Sequence, residues 1–234
     1  MYKQLKLDIG VLPHTGTLDD EGKNSYKFAE KYNRFYLEDQ IPAMDPQKEL
    51  QKFRMLRPQT KISGFSPFKS NRGILVTEKT LAFLSDFHLA PHCIYEVPYE
   101  IIYEINTQWN SSHLSYYIFF YTSGFNHIDW ESSSFYKHPQ SNPKIVLEDN
   151  IQFNDARSFQ QSYENAFYNG KLDLSPRKLT LQASLPKYDL FGMFFYELDL
   201  IISENLATLC KKKKFFDMYN KAVELPYVIH WNDL

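Results

Sequence analysis

The spacing of apolar and polar positions is most informative between Gly73 and Tyr99. Ile74-Leu75-Val76 is a short unbroken apolar run, the pattern of a strand covered on both faces. Thr77 and Glu78 follow it. A hydroxyl suits an N-cap and a carboxylate suits the positive end of a helix dipole, so a helix starts there. Thr80, Phe83, Leu84 and Phe87 then fall at helical spacing, with Leu81 widening the stripe, which predicts one buried face. Pro91 prevents continuation, and Cys93, Tyr95, Val97 and Tyr99 alternate as a strand in which Pro98 marks an end or an edge.

A looser copy of this grammar recurs near the C-terminus. Leu200-Ile201-Ile202 corresponds to the apolar run, Ser203-Glu204 to Thr77-Glu78, and Leu206 with Leu209 to Leu81 with Leu84. Glu224-Leu225-Pro226-Tyr227 likewise parallels Glu96-Val97-Pro98-Tyr99. A strand-helix-strand duplication and independent use of the same capping chemistry both account for this.

Elsewhere the pattern is mixed. Residues 2–9 alternate as a half-buried strand, and Leu12 to Gly22 reads as a polar loop. Tyr26 to Leu37 is aromatic enough for a core-facing helix or an irregular strand. Gln47 to Arg57, with Leu50, Phe53 and Leu56 every third residue, suggests a short amphipathic helix between prolines, and Ile62 to Arg72 a loop. Ser115 to Phe120 favours a strand, and Ala156 to Phe167 a helix carrying Phe159, Tyr163 and Phe167 on one side. Residues 145–153 suggest a strand with a turn at Glu148-Asp149-Asn150, and Leu179, Leu181 and Ala183 another strand. The polar break from Ser132 through Pro139 to Pro143 predicts two halves, 1–138 and 144–234, within one compact unit. Together these elements predict an α+β fold with a mixed or antiparallel sheet and short packed helices.

Composition narrows the function classes. The 234 residues suffice to bury a core without staples, and a formal charge of −2 gives no case for nucleic acid or an anionic membrane as partner. Cys93 and Cys210 are too few for a disulfide framework or a thiolate zinc site, no cofactor motif is present, and a cytoplasmic location is the simplest expectation. The chain lacks a signal-peptide core and any apolar run of spanning length. Its 17% aromatic content fits either an ordinary aromatic core or a recognition surface.

One cluster carries candidate chemistry. If His127-Ile128-Asp129-Trp130-Glu131 is a strand, His127, Asp129 and Glu131 share a face and could hold a divalent ion or move protons, joined by His113, His138 or His230. The same pattern also describes the wet face of an antiparallel strand. His14 with Asp19, Asp20 and Glu21 reads as a solvated loop and not as a metal site. Lys211 to Lys214 sits where a helix should end and where cations favour the dipole, although the run could also bind phosphate or nucleic acid.

Lys61-Ile62-Ser63-Gly64-Phe65, Gly73 through Lys79, and Phe87-His88-Leu89-Ala90-Pro91-His92-Cys93-Ile94-Tyr95 resemble motifs of the immunity proteins of bacterial polymorphic toxin systems, families eleven and forty-three. Ile128-Asp129-Trp130 followed by Ser133-Ser134-Phe135, Asp189-Leu190-Phe191, and Ile202-Ser203-Glu204-Asn205-Leu206 extend the likeness over roughly residues 60 to 225. Thr77, Glu78, Ser203 and Glu204 are its signature positions, with Thr77 where Ser is usual and Lys211 to Phe215 where a Gly is usual. The resemblance implies a cytoplasmic, non-enzymatic antitoxin that binds a cognate toxin protein. Acidic residues opposite a cationic toxin site would then be Asp129, Glu131, Glu148 and Asp149. The competing expectations are a hydrolase or metal-dependent enzyme built on His127, Asp129 and Glu131, and an assembly subunit using the edge from Tyr227 to Trp231.

Overall fold

A computed structural model describes residues 1–7, 15–17, 53–55, 64–67, 73–100, 112–120, 124–193, 200–216 and 220–232. The fold is α+β, and the chain separates into two compact units. Unit 1 comprises Met1–Ser123 and Tyr188–Val223, and unit 2 comprises Gly124–Lys187 and Glu224–Leu234.

Unit 1 is built on two four-stranded sheets. In the first, β4 (Phe65–Pro67), β5 (Gly73–Val76), β7 (Ser112–Phe120) and β6 (His92–Glu100) lie side by side in that order, each antiparallel to its neighbour. Ile74, Leu75 and Val76 are all buried because β5 is an inner strand covered on both faces. Gly73 pairs with Phe119, and a Cβ on it would lie 2.2 Å from the Ile118 carbonyl oxygen. Only glycine permits that approach. Pro98 sits in β6, an outer strand of this sheet, where a missing N–H costs no ladder bond on the free side. The expected helix α1 (Glu78–Leu84) follows β5 and buries Thr80 and Leu84.

The second sheet runs in the order β11 (Leu190–Gly192), β12 (Leu200–Ser203), β1 (Tyr2–Leu7), β13 (Asn220–Glu224). Leu200, Ile201 and Ile202 are fully buried, and α3 (Glu204–Lys212) leaves β12 as α1 leaves β5. Both sheets thus place a short strand, an apolar strand, a longer partner and a strand from beyond the helix side by side. The partner comes from different directions along the chain: β7 follows α1, whereas β1 is N-terminal. The two strand-helix segments also part company after their helices. β6 runs through Pro98, but β13 ends at Glu224, and Leu225-Pro226-Tyr227 connects onward to β14 (Val228–Trp231) in unit 2.

Unit 2 has one sheet, in the order β14, β10 (Leu172–Leu181), β8 (Ser134–Pro139), β9 (Glu148–Ile151). β14 is parallel to β10, and the other pairs are antiparallel. Helix α2 (Ala156–Glu164) passes into a π turn, Asn165–Asn169. Phe159 anchors the core, its ring meeting those of Phe125, Trp130, Phe135, Phe153 and Tyr163 at centroid distances of 5.0–6.1 Å. Part of the 17% aromatic content is therefore ordinary core.

Several expectations are corrected. The polar break through Pro139 to Pro143 does not part the units: β8 pairs with β9 and β10 around it, so 139–143 lies within unit 2. Phe53–Met55 is β3, paired with β2 (Thr15–Thr17), and not part of a helix. Phe65–Pro67 is a strand and not a loop, because β5 offers it a backbone ladder. Glu148 and Asp149 lie in a strand and not at a turn; the reversal precedes them, built on Asn142, whose side chain accepts from Lys144 N and whose backbone carbonyl accepts from Ile145 N. Ala183 falls beyond β10. The segments 8–14, 18–52 and 56–63 lie outside the described residues, with the expectations made for Leu12 to Gly22 (apart from 15–17) and Tyr26 to Leu37. No helix among the described residues is long and apolar enough to cross a membrane.

Candidate functional site

His127 closes a 3-10 turn, Gly124–His127, so the expected strand from His127 to Glu131 does not form. The reason lies in long-range pairing. The His127 carbonyl accepts from Gln182 N and Asp129 N donates to the Thr180 carbonyl, leaving Ile128 a single bridge to Leu181. Ile128 and Trp130 still enter the core, as alternation required. The Asp129 carboxylate is a local clasp: Oδ1 accepts from Ser132 N at 3.1 Å and Oδ2 from Asn232 Nδ2 at 2.7 Å. Burial alone would raise its pKa, but these hydrogen bonds outweigh burial and hold it below the usual carboxylate value. Glu131 is exposed, and among the described residues no three His, Cys, Asp or Glu side chains are placed to share an ion. His138 is buried and bonded to the Pro139 carbonyl through Nδ1 and to Ser175 Oγ through Nε2.

Glu148 and Asp149 are not free anions either. Glu148 pairs with Lys137 across the β8–β9 ladder. Asp149 accepts from Arg177 Nε at 3.0 Å and Nη2 at 3.4 Å, which holds its carboxyl below the usual range, and the same guanidinium lies 4.2 Å from the Tyr136 ring centroid. The four acidic candidates thus all fall in unit 2, two on β9 and two in the turn before β8, and three of them already satisfy partners within the unit.

The signature positions do structural work in unit 1. Thr77 Oγ1 accepts from Thr80 N at 3.2 Å, and Ser203 Oγ accepts from Leu206 N at 3.2 Å. Glu78 and Glu204 occupy the first turns, Glu204 also pairing with Lys3 at 4.0 Å. Ser203 also donates to Asp189 Oδ1 at 2.6 Å, while Asp189 Oδ2 accepts from His88 N at 3.1 Å. Ser203, Asp189 and His88 are the residue types of a hydrolytic triad, but the imidazole is not between the other two. The serine donates straight to the carboxylate, and His88 reaches that carboxylate through its backbone N–H, so the relay order of a triad is not formed. Cys210 is no nucleophile: burial pushes its thiol up to about 12.

What sequence reading missed is a surface of unit 2. Ile145, Val146 and Leu147 are consecutive and 40–55% exposed, immediately before β9. β9 has a ladder neighbour on one side only. Beside it the sheet and the end of α2 enclose a groove of about 500 Å³, floored by Ile151, Phe153, Leu172 and Leu174 and rimmed by the Lys137–Glu148 pair and Asn165. Tyr168, in the same π turn as Asn165, is 75% exposed. The sequence signal was the apolar run after Pro143, which reads equally as a buried strand. Comparison with protein-family models and with curated proteins finds no match to this chain.

Proposed function

We propose that this chain is a non-enzymatic binding protein, an immunity protein that neutralises a cognate toxin by stoichiometric association in the cytoplasm. One observation carries the binding face: three consecutive exposed aliphatic residues, Ile145 to Leu147, run into the open edge of β9 beside a groove with an apolar floor. Solvent-exposed apolar residues scattered singly are ordinary, whereas a contiguous strip with a rim of polar groups is the anatomy of a protein interface. An edge strand adds backbone donors and acceptors that a partner segment can pair with. Glu148 and Asp149 both lie on this edge, Glu148 as a rim charge of the groove held by Lys137 and Asp149 held by Arg177. The motif likeness to immunity families supplies the class of partner.

Co-expression with the toxin encoded beside the gene tests this. Co-purification of the two proteins and rescue of growth are expected, and Leu147→Asp should abolish both while leaving the protein folded. Failure of the native chain both to co-purify and to rescue growth would sink the reading.

A further inference from the structure

We propose that Lys79 and Lys211–Lys214 form a docking surface for an acidic segment of a protein partner. This inference does not rest on the immunity reading or on the unit 2 surface. All five side chains are exposed, and none is within ion-pair distance of a carboxylate among the described residues. They converge from two helices. Lys79 comes from the first turn of α1, and its Nζ lies 5.8 Å from the ring centroid of Phe215, the residue that follows the lysine run. Phe215 is itself pinned: its ring lies 5.0 Å from that of Phe83, and a Cβ on Gly64 would be 2.6 Å from it. The end of α3 is thereby held against α1, which brings Lys79 close to the end of the lysine run.

A helix dipole explains one or two cations in a last turn, and Lys211 and Lys212 fill that role. It does not explain Lys213 and Lys214, which lie at and beyond the cap, where like charges repel. Lys214 adopts φ 59°, the left-handed conformation that glycine occupies at little cost. The helix closes there by hydrogen bonds from Lys213 N to Leu209 O and from Phe215 N to Cys210 O. The left-handed backbone at Lys214 is what lets the helix close, and a lysine there supplies a charge that glycine would not.

The patch chemistry selects among polyanions. It contains no arginine fork for bidentate phosphate binding. Phe215 is buried, so its ring offers no face on which a base could stack. The apolar side of α3, Leu206, Ala207 and Cys210, is buried in the protein and not available to insert into a bilayer. Compact ammonium groups match carboxylates one to one, which suits an Asp/Glu-rich protein segment.

The test uses the full chain and a labelled short oligo-glutamate peptide at low salt, with oligoglutamine, oligothymidine and phosphatidylserine-containing vesicles as comparison probes. Oligo-glutamate should bind best, with affinity falling about tenfold on raising salt to physiological strength or in the Lys211→Glu/Lys213→Glu variant. Lys187→Glu/Lys178→Glu in unit 2 makes the same change in net charge and should leave affinity unchanged. Lys214→Gly should raise thermal stability and yet weaken peptide binding, which a merely solvated helix end would not do. Equal affinity of the native chain and the α3 variant, equal weakening by the unit 2 variant, or tighter binding of oligothymidine or vesicles would each overturn the proposal.

Discussion

The two capped helices of unit 1 begin alike and are held differently. Thr77 and Ser203 each accept the third helical N–H at 3.2 Å, and each is followed by a glutamate. The Thr77 hydroxyl makes its other side-chain contact locally, with Thr80 Oγ1 at 2.9 Å. The Ser203 hydroxyl instead donates to Asp189, which also accepts from His88 beyond the end of α1. Asp189 N in turn donates to the His88 carbonyl, and Ser203 N to the Asp189 carbonyl. On the other side, Phe215 beyond the end of α3 presses on Gly64, which immediately precedes β4. Each helix end thus rests on the residue entering the other sheet, once through a carboxylate and once through a ring on a glycine. The same starting chemistry therefore does a local job at one helix and a long-range job at the other.

Breaking the ring contact should have the largest effect. Phe215→Ala removes a buried ring that meets Phe83 and should cost about 3–5 kcal/mol in denaturant unfolding. Asp189→Ala comes next: it leaves the Ser203 hydroxyl and the His88 N–H without an acceptor, at about 1–3 kcal/mol. Paired with Ser203→Ala, it should show a coupling of at least about 0.5 kcal/mol in a double-mutant cycle, and strict additivity would show that the clasp is idle. Thr77→Ala should cost about 0.5–2 kcal/mol and less than Ser203→Ala, since only the second strands Asp189. Loss of partner binding by Thr77→Ala with no loss of stability would make the Gly73–Tyr99 stretch a recognition surface instead of a scaffold. Lys214→Gly runs the other way, stabilising by about 0.5–1 kcal/mol through relief of the left-handed lysine.

Acid sharpens the contrast between these hydroxyl caps and the cap of α2. Asp155 accepts from Ser158 N at 2.7 Å, and that bond, with the Ser158 side chain, holds its carboxyl below the usual value. A depressed folded pKa contributes stability that is present above the unfolded value near about 4 and is lost as pH falls through the folded one. Amide exchange at Ser158, corrected for intrinsic rate, should therefore accelerate on acidification below about pH 4, while Thr80 and Leu206, capped by hydroxyls, hold. Equal acceleration at all three sites would mean that the carboxylate cap confers no separate acid response.

Legibility followed range. The strand at Ile74 to Val76, the helix starts at Thr77 and Ser203, and the aromatic stripe of α2 were readable because caps and periodicity act within one or two turns. The His127 to Glu131 strand was misread because Gln182 and Thr180, some fifty residues on, claim its backbone groups. The acidic candidates could be named, but not the cations that engage Glu148 and Asp149. Ile145 to Leu147 could be read only as part of a strand, and not as an exposed strip, since exposure is a property of neighbours.

What the sequence determined by itself is where helices begin and which short runs must be buried, for these depend on a hydroxyl, a proline or an apolar run within a few bonds. Only the tertiary structure decided that β1 completes the second sheet, that Gly73 and Gly64 must lack side chains, that Asp189 ties Ser203 to His88, and that Lys79 sits over the Phe215 ring that follows the lysine run. Those outcomes depend on which distant backbone or side-chain groups meet, and pairing across a hundred residues leaves no period in the chain.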